Sequence, residues 1–332
     1  MASEKIAVIG SNSFSGSSFV SYLLEKGHEV LGTSRSHEPD DVFLPYKWIS
    51  GNSNRFKFIQ IDLNHNLEKL LSIIKKEKPV YIFNFASLGM VAQSWKNPED
   101  WYQTNVVAQV KLHDQLRKFD FMKKYVHVTT PEVYGNTPGW IVENFHFNPS
   151  TPYAVSRAAC DLHLKSFFDT YNFPVVYTRA ANVYGSGQQL YRIIPRTILY
   201  ARLGKKLSLH GGGTSERSFI HINDVAEATY RIALDGVLGS TYHISTLETI
   251  RVHDLVKKIC DLLKIDFAEL EEVSEDRLGK DQSYMLNSDK IREELGWQDN
   301  IRLEQGISST IEWVDENLET LKNLPHEYIH KA

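Results

Sequence analysis

The chain has 332 residues, 42% apolar and 23% charged, with 37 Lys and Arg against 41 Asp and Glu. Such a chain suggests about two domains and a sizeable core, and a formal charge of -4 argues against nucleic acid as the main partner. Cys160 and Cys260 make neither a metal spacing nor a disulfide framework, and the 13 histidines make no metal motif, so no metal is expected.

Taken in chain order, Lys5–Ile9, Glu29–Gly32, Phe56–Ile61, Val80–Phe85, Tyr125–Thr129 and Val175–Thr178 are predicted strands. Ser17–Lys26, Leu67–Lys76, Trp101–Phe119 and Tyr153–Tyr171 are predicted helices between them. The alternation predicts an α/β fold with a parallel, doubly wound sheet. The first domain is expected over residues 1–182, with 216–238 returning to it. Residues 183–215 and 239–325 form a smaller second domain. Met-Ala-Ser-Glu-Lys leads straight into a strand, and no apolar run is long enough to span a bilayer. A cytoplasmic protein with no membrane partner is expected.

Val8-Ile-Gly-Ser-Asn-Ser-Phe-Ser-Gly16 joins the first strand to the first helix. Gly10 permits a tight turn, Gly16 permits close helix–strand packing, and the amides of Ser15–Ser17 are expected to face a pyrophosphate. Ser13 and Phe14 belong to the same turn, with Ser13 standing where a further glycine is usual. Asp62 and Leu63 end a strand where an adenine amino group can be held. Phe85, Ala86 and Ser87 end the next, where small residues let a cofactor approach. The second strand carries no acid at its end, and Ser34 and Arg35 are suited to a 2′-phosphate. The cofactor is therefore NAD(H) or NADP(H), with a lean to NADP(H).

Tyr153 and Arg157 stand four residues apart on a predicted helix and so share a face. A cation beside a phenol favours phenolate, and a phenolate can take a proton from a sugar hydroxyl while hydride leaves the same carbon. Thr130 and Glu132, in Thr-Thr-Pro-Glu-Val-Tyr-Gly after a strand, are placed to converge with Tyr153 at the carboxyl edge of the sheet. His127, His221 and His243 lie in strand-like runs and read as structural.

With these segments in order, the chain resembles the extended short-chain dehydrogenase/reductases that modify nucleotide-diphosphate sugars, especially the 4,6-dehydratases. Arg179-Ala-Ala-Asn182-Val-Tyr-Gly, Arg217-Ser-Phe-Ile-His-Ile-Asn-Asp and Arg277-Leu-Gly-Lys-Asp281 are similar to further stretches of that group. The resemblance implies a Rossmann-type domain with a smaller C-terminal substrate-binding α/β domain. It adds Thr104 to the cofactor contacts and gives Asn182, Arg192, Arg217, Arg277 and Asp281 as contacts for a nucleotide-diphosphate sugar. It also implies a homodimer or larger homo-oligomer. In the implied chemistry Thr130 holds the 4-hydroxyl, Tyr153 takes its proton, and Glu132 removes the C5 proton once C4 is a ketone. Arg157 replaces a lysine that holds the nicotinamide ribose, and Pro131 replaces an aspartic acid that protonates the leaving hydroxyl. The net reaction is a C4 dehydrogenation or a 4,6-dehydration. An epimerase and a non-catalytic dinucleotide sensor are the alternatives.

Overall fold

The computed structural model describes residues 3–49, 51, 54–137, 139–274 and 285–330. Seven strands form one all-parallel sheet: β1 (Lys5–Ile9), β2 (Glu29–Ser34), β3 (Phe56–Gln60), β4 (Tyr81–Asn84), β5 (Lys124–Thr129), β6 (Val175–Ala180) and β7 (Thr241–Ile244). Their order, β7-β6-β5-β4-β1-β2-β3, reverses direction at β1 and β4, and ligands of open parallel sheets bind outside the strand ends at such a point.

Side chains alternate across each strand, so both faces of the sheet are buried. Ile6, Val8, Phe83, Val126 and Val176 pack against α1 (Phe14–Glu25) on one face. On the other, Ala7, Ile9, Ile82, Tyr125 and Tyr177 pack against α2 (Leu67–Glu77), α3 (Ala108–Leu116) and α4 (Pro152–Tyr171). A fifth helix, α5 (Ile222–Asp235), joins α1 on the first face through Val225, Ala226 and Ala228.

Two elements differ from the sequence expectation. β7 lies past residue 238, where the returning segment was expected to end, yet it pairs with β6 and buries Tyr242 and Ile244 in the core of the main sheet. The single helix expected over Trp101–Phe119 is broken into Pro98–Tyr102, a wider π turn at Gln103–Val107, and α3. That turn aims Asn105 inward, where its amide accepts from Leu88 N at 2.8 Å and donates to Ser156 Oγ at 3.0 Å. Single π turns of this kind gather at functional sites.

A second core lies over the carboxyl ends of the strands, built by helices Ile193–Leu203, Val252–Leu263 and Leu303–Glu316 around Ile198, Leu255, Ile259, Ile307 and Val314. The short parallel pair Asn182–Tyr184 and Phe219–His221 leads from β6 toward it. Among the described residues, no helix is long and apolar enough to cross a membrane.

Candidate active site

Between the two cores runs a cleft of about 780 Å³. At its β1 end the backbone leaves no room for side chains. Gly10 adopts φ +88°, and a Cβ there would lie 2.7 Å from Ala86 N; one on Gly16 would lie 2.2 Å from the Gly10 carbonyl oxygen. Ser13 explains why the turn does without a middle glycine. Its hydroxyl donates to the Gly10 carbonyl at 2.8 Å and accepts from Gly16 N at 3.1 Å, capping α1. One expectation is corrected here. The Gly16 and Ser17 amides are engaged by Ser13 within the cap, while Phe14 and Ser15 border the cleft.

The next wall is the segment after β4. Asn84 accepts from Ala86 N at 3.0 Å and donates to Gln109 at 2.7 Å and Tyr125 at 2.6 Å, which fixes the direction of Phe85–Ser87. Phe85 and Ser87 line the cleft, and Ala86 is the residue that presses on Gly10. Ser34, Asp62, Leu63 and Thr104 stand behind this lining. Ser34 Oγ accepts from Asn12 N at 3.0 Å, and Asp62 accepts from Asn64 N at 2.8 Å. Asn64 donates on to Thr104 at 3.1 Å, and Leu63 is buried in the core. Arg35 borders the cleft.

Thr130, Glu132, Tyr153 and Arg157 meet on the cleft wall at the carboxyl end of β5. Thr130 caps a short turn at Pro131–Tyr134 by accepting from Glu132 N at 3.3 Å, and it lines the cleft together with Tyr153. Tyr153 sits in the first turn of α4, whose N-cap is Thr151. Arg157 is buried, donates through Nη2 to the Val128 carbonyl, and keeps its Nε–H buried with no hydrogen-bond partner. Burial pushes the Tyr153 phenol above its ordinary value and the Glu132 carboxylate adds to this. Arg157, Thr130 and Arg192 act in the opposite direction without reversing it. The expectation that the neighbouring cation brings phenolate near neutrality is therefore corrected for the ligand-free site: loss of solvent outweighs the guanidinium.

On the opposite wall, Asn182 donates to the Ser218 carbonyl at 3.3 Å and Arg217 to the Glu216 carbonyl at 2.7 Å. Arg192 stands exposed at the head of helix Ile193–Leu203 with its guanidinium 5.5 Å from the Tyr191 ring. All three border the cleft. Arg277 and Asp281 lie outside the described residues.

Sequence reasoning missed the buried support beneath Thr130. Arg179 Nη2 pairs with Asp161 at 2.8 Å, and its Nη1 donates to Tyr134 OH at 2.5 Å. Asp161 also accepts from Thr129 Oγ1 at 3.0 Å and faces His127 Nε2 at 3.1 Å. Burial opposes ionisation of Asp161, but His127 and Arg179 hold it below the usual carboxylate range. His243 bonds Tyr134 OH at 2.8 Å, and His221 caps α5 by accepting from Asn223 N at 3.3 Å. His113, His127 and Cys160 are buried and bring potential ligand atoms within 4.8 Å of one another, but His113 Nε2 is already bonded to Tyr125 OH at 2.9 Å.

A glycine cradle at β1 and a Thr–Tyr pair at the end of β5 define an extended short-chain dehydrogenase/reductase. Residues 8–310 match GDP-mannose 4,6 dehydratase, and the chain belongs to that family. It is 30% identical to the dTDP-glucose 4,6-dehydratase of Haemophilus influenzae over 93% of this chain and 97% of that one. It is 32% identical to a trifunctional UDP-glucose 4,6-dehydratase/UDP-4-keto-6-deoxy-D-glucose 3,5-epimerase/UDP-4-keto-L-rhamnose-reductase of Arabidopsis thaliana over 81% of this chain, spanning only 41% of the plant protein. Among solved structures, dTDP-glucose 4,6-dehydratase from Bacillus anthracis in complex with NAD superposes with a TM-score of 0.87 at 29% identity, covering 96% of this chain and 99% of that one.

Proposed function

We propose that this chain is an NAD-dependent nucleotide-sugar 4,6-dehydratase. The observation that carries the reading is the meeting of Thr130, Glu132 and Tyr153 in one cleft with Ser13–Ser15 of the glycine turn. The residues present fit a nicotinamide dinucleotide: Gly10 and Gly16 let the β1–α1 turn fold tightly on itself, Ser13–Ser15 of that turn border the cleft, and Arg157 Nε is a buried donor in want of an acceptor. Bound there, the dinucleotide supplies a hydride acceptor that later returns the hydride.

Tyr153, ionised, takes the proton of the sugar 4-hydroxyl as the C4 hydride leaves, and Thr130 orients that hydroxyl. The C4 ketone acidifies C5–H, and Glu132 accepts that proton. Passed on to the C6 hydroxyl, the same proton would let water depart and leave a 5,6-ene; with the C4 hydride returned to C6, C5 would take a proton from solvent and Tyr153 would release the one it holds. Pro131 has no acid to share in this step, so Glu132 carries both halves of the elimination. That proline also favours a second reading, a dehydrogenase whose cycle ends at the 4-keto sugar.

NAD(H) is the cofactor we favour. The solved relative holds NAD, and of the pair expected to meet a 2′-phosphate, Ser34 is engaged with Asn12 N at 3.0 Å. The exposed apolar side chains Val107, Val155 and Leu162, on the π turn and α4, support a homodimer through that face.

Mass spectrometry of GDP-, UDP-, dTDP- and CDP-sugars incubated with the enzyme and NAD+ tests the reading. Loss of water from one member is expected. Loss of two hydrogens without loss of water would replace it with the dehydrogenase, and an unchanged panel would remove both.

A further inference from the structure

The segment Pro325–His330 is absorbed by none of the motifs above, yet it crosses from one side of the cleft to the other. Near the second core, Arg196 Nη2 donates to the His326 carbonyl at 2.7 Å and pairs with Glu327 at 2.5 Å. At the far end, His330 Nε2 meets Asp100 Oδ2 at 2.8 Å, and its ring stacks on Trp101 at 4.9 Å with 9° between the planes. Trp101 is fully buried against Leu88 and Tyr153, so this anchor rests on the packing that holds the candidate catalytic phenol. Between the anchors, Tyr328 turns into the cleft lining, edge-on to Tyr191 at 5.5 Å and 84°. Its phenol is raised by burial and by Tyr191, while Arg35 and Arg192 oppose the rise. Both cations line the same cleft as the two rings, and the Arg192 guanidinium lies 5.5 Å from the Tyr191 ring.

We propose that Pro325–His330 is a strap forming one wall of the ligand site, and that Tyr328 contacts a nucleoside diphosphate moiety bound there. The proposal deepens the functional reading above and rests on it. Two aromatic faces at right angles offer a base both a stacking surface and an edge, and guanidinium groups beside them match phosphate oxygens. The adenylate half of the dinucleotide and the nucleotide half of the sugar substrate share this chemistry. The wild type, Tyr328→Ala, Tyr328→Phe, His330→Ala and Ile329→Ala are titrated calorimetrically with NAD+ and, separately, with UDP, dTDP, GDP and CDP. Tyr328→Ala is expected to weaken one of the two ligand classes about tenfold, near the lower end of what losing one base–aromatic stack costs. The class that weakens identifies the moiety.

Tyr328→Phe should bind as the wild type does. His330→Ala, which releases the strap from Trp101, should weaken the same ligand. Ile329→Ala should change nothing, because that side chain is 62% exposed. Wild-type affinities in a Tyr328→Ala protein of unchanged melting temperature would overturn the strap alone. A wild type that binds neither class would overturn the functional reading and the strap with it.

Discussion

The two walls of the cleft are built on different principles. On the β1 wall the backbone packs on itself: Gly10 and Gly16 are required because any Cβ would collide with main-chain atoms, and the turn they allow brings Ser13–Ser15 to the cleft. On the facing wall, Asn182 and Arg217 reach in from two short strands and Arg192 from a helix head. A site made of backbone admits few residue types. One made of side chains reaching into the cleft admits many, which is where substrate choice can vary while the chemistry stays fixed.

The sharpest way to break this comparison is to substitute one residue on each wall. Gly16→Val puts carbon 2.2 Å from the Gly10 oxygen, so the β1–α1 turn must open. Overpacking of this kind costs about 1–3 kcal/mol, and cofactor binding should be lost altogether. Arg217→Ala should leave folding and cofactor affinity intact and weaken the nucleotide sugar about tenfold, the scale of one charge-assisted hydrogen bond. Thermal melts with NAD+ titrations on both variants check this. A cofactor-competent Gly16→Val would sink the distinction between the walls.

Within the catalytic wall the comparison sharpens to two half-reactions. Tyr153→Phe should lower both C4 oxidation and net turnover by roughly 10²–10⁴, the range of a lost general base. Glu132→Gln should spare the first half-reaction, so that reduced cofactor and 4-keto sugar accumulate in a single turnover while loss of water stops. Equal loss of cofactor reduction in both variants would mean that Glu132 acts at C4 and not at C5.

These differences between the walls also governed what could be read from the sequence. Constraints that act along the chain left clear marks: six of the seven strands, the glycine turn, and the Thr130–Glu132–Tyr153 set that the fold gathers on one wall. Constraints between distant segments left none. Arg179 and Asp161 are 18 residues apart and make a fully buried ion pair. Tyr328 and Arg35 border one cleft from nearly opposite ends of the chain. β7 was missed because Thr241–Ile244 is four residues long and sits where the strand–helix alternation has faded. The π turn at Gln103–Val107 follows from no local periodicity, since the extra residue serves Asn105 and its partners at Leu88 and Ser156.

The smallest expected effect concerns Arg157, and it separates electrostatics from geometry on the catalytic wall. Burial and Glu132 raise the Tyr153 phenol, and Arg157 is the first of the groups that oppose them. Catalysis needs the ionised phenol, so the rate should climb with pH until Tyr153 has lost its proton. Removing the cation in Arg157→Gln should move that climb to higher pH. Activity should fall at neutrality and recover in alkali, whereas Arg157→Lys should restore the wild-type position. The profile of kcat/KM against pH is the measurement, because it reports ionisations of the free enzyme. An Arg157→Gln profile lowered evenly at every pH would mean that the guanidinium works by holding the Val128 carbonyl and the end of β5, and that its charge is incidental to the phenol.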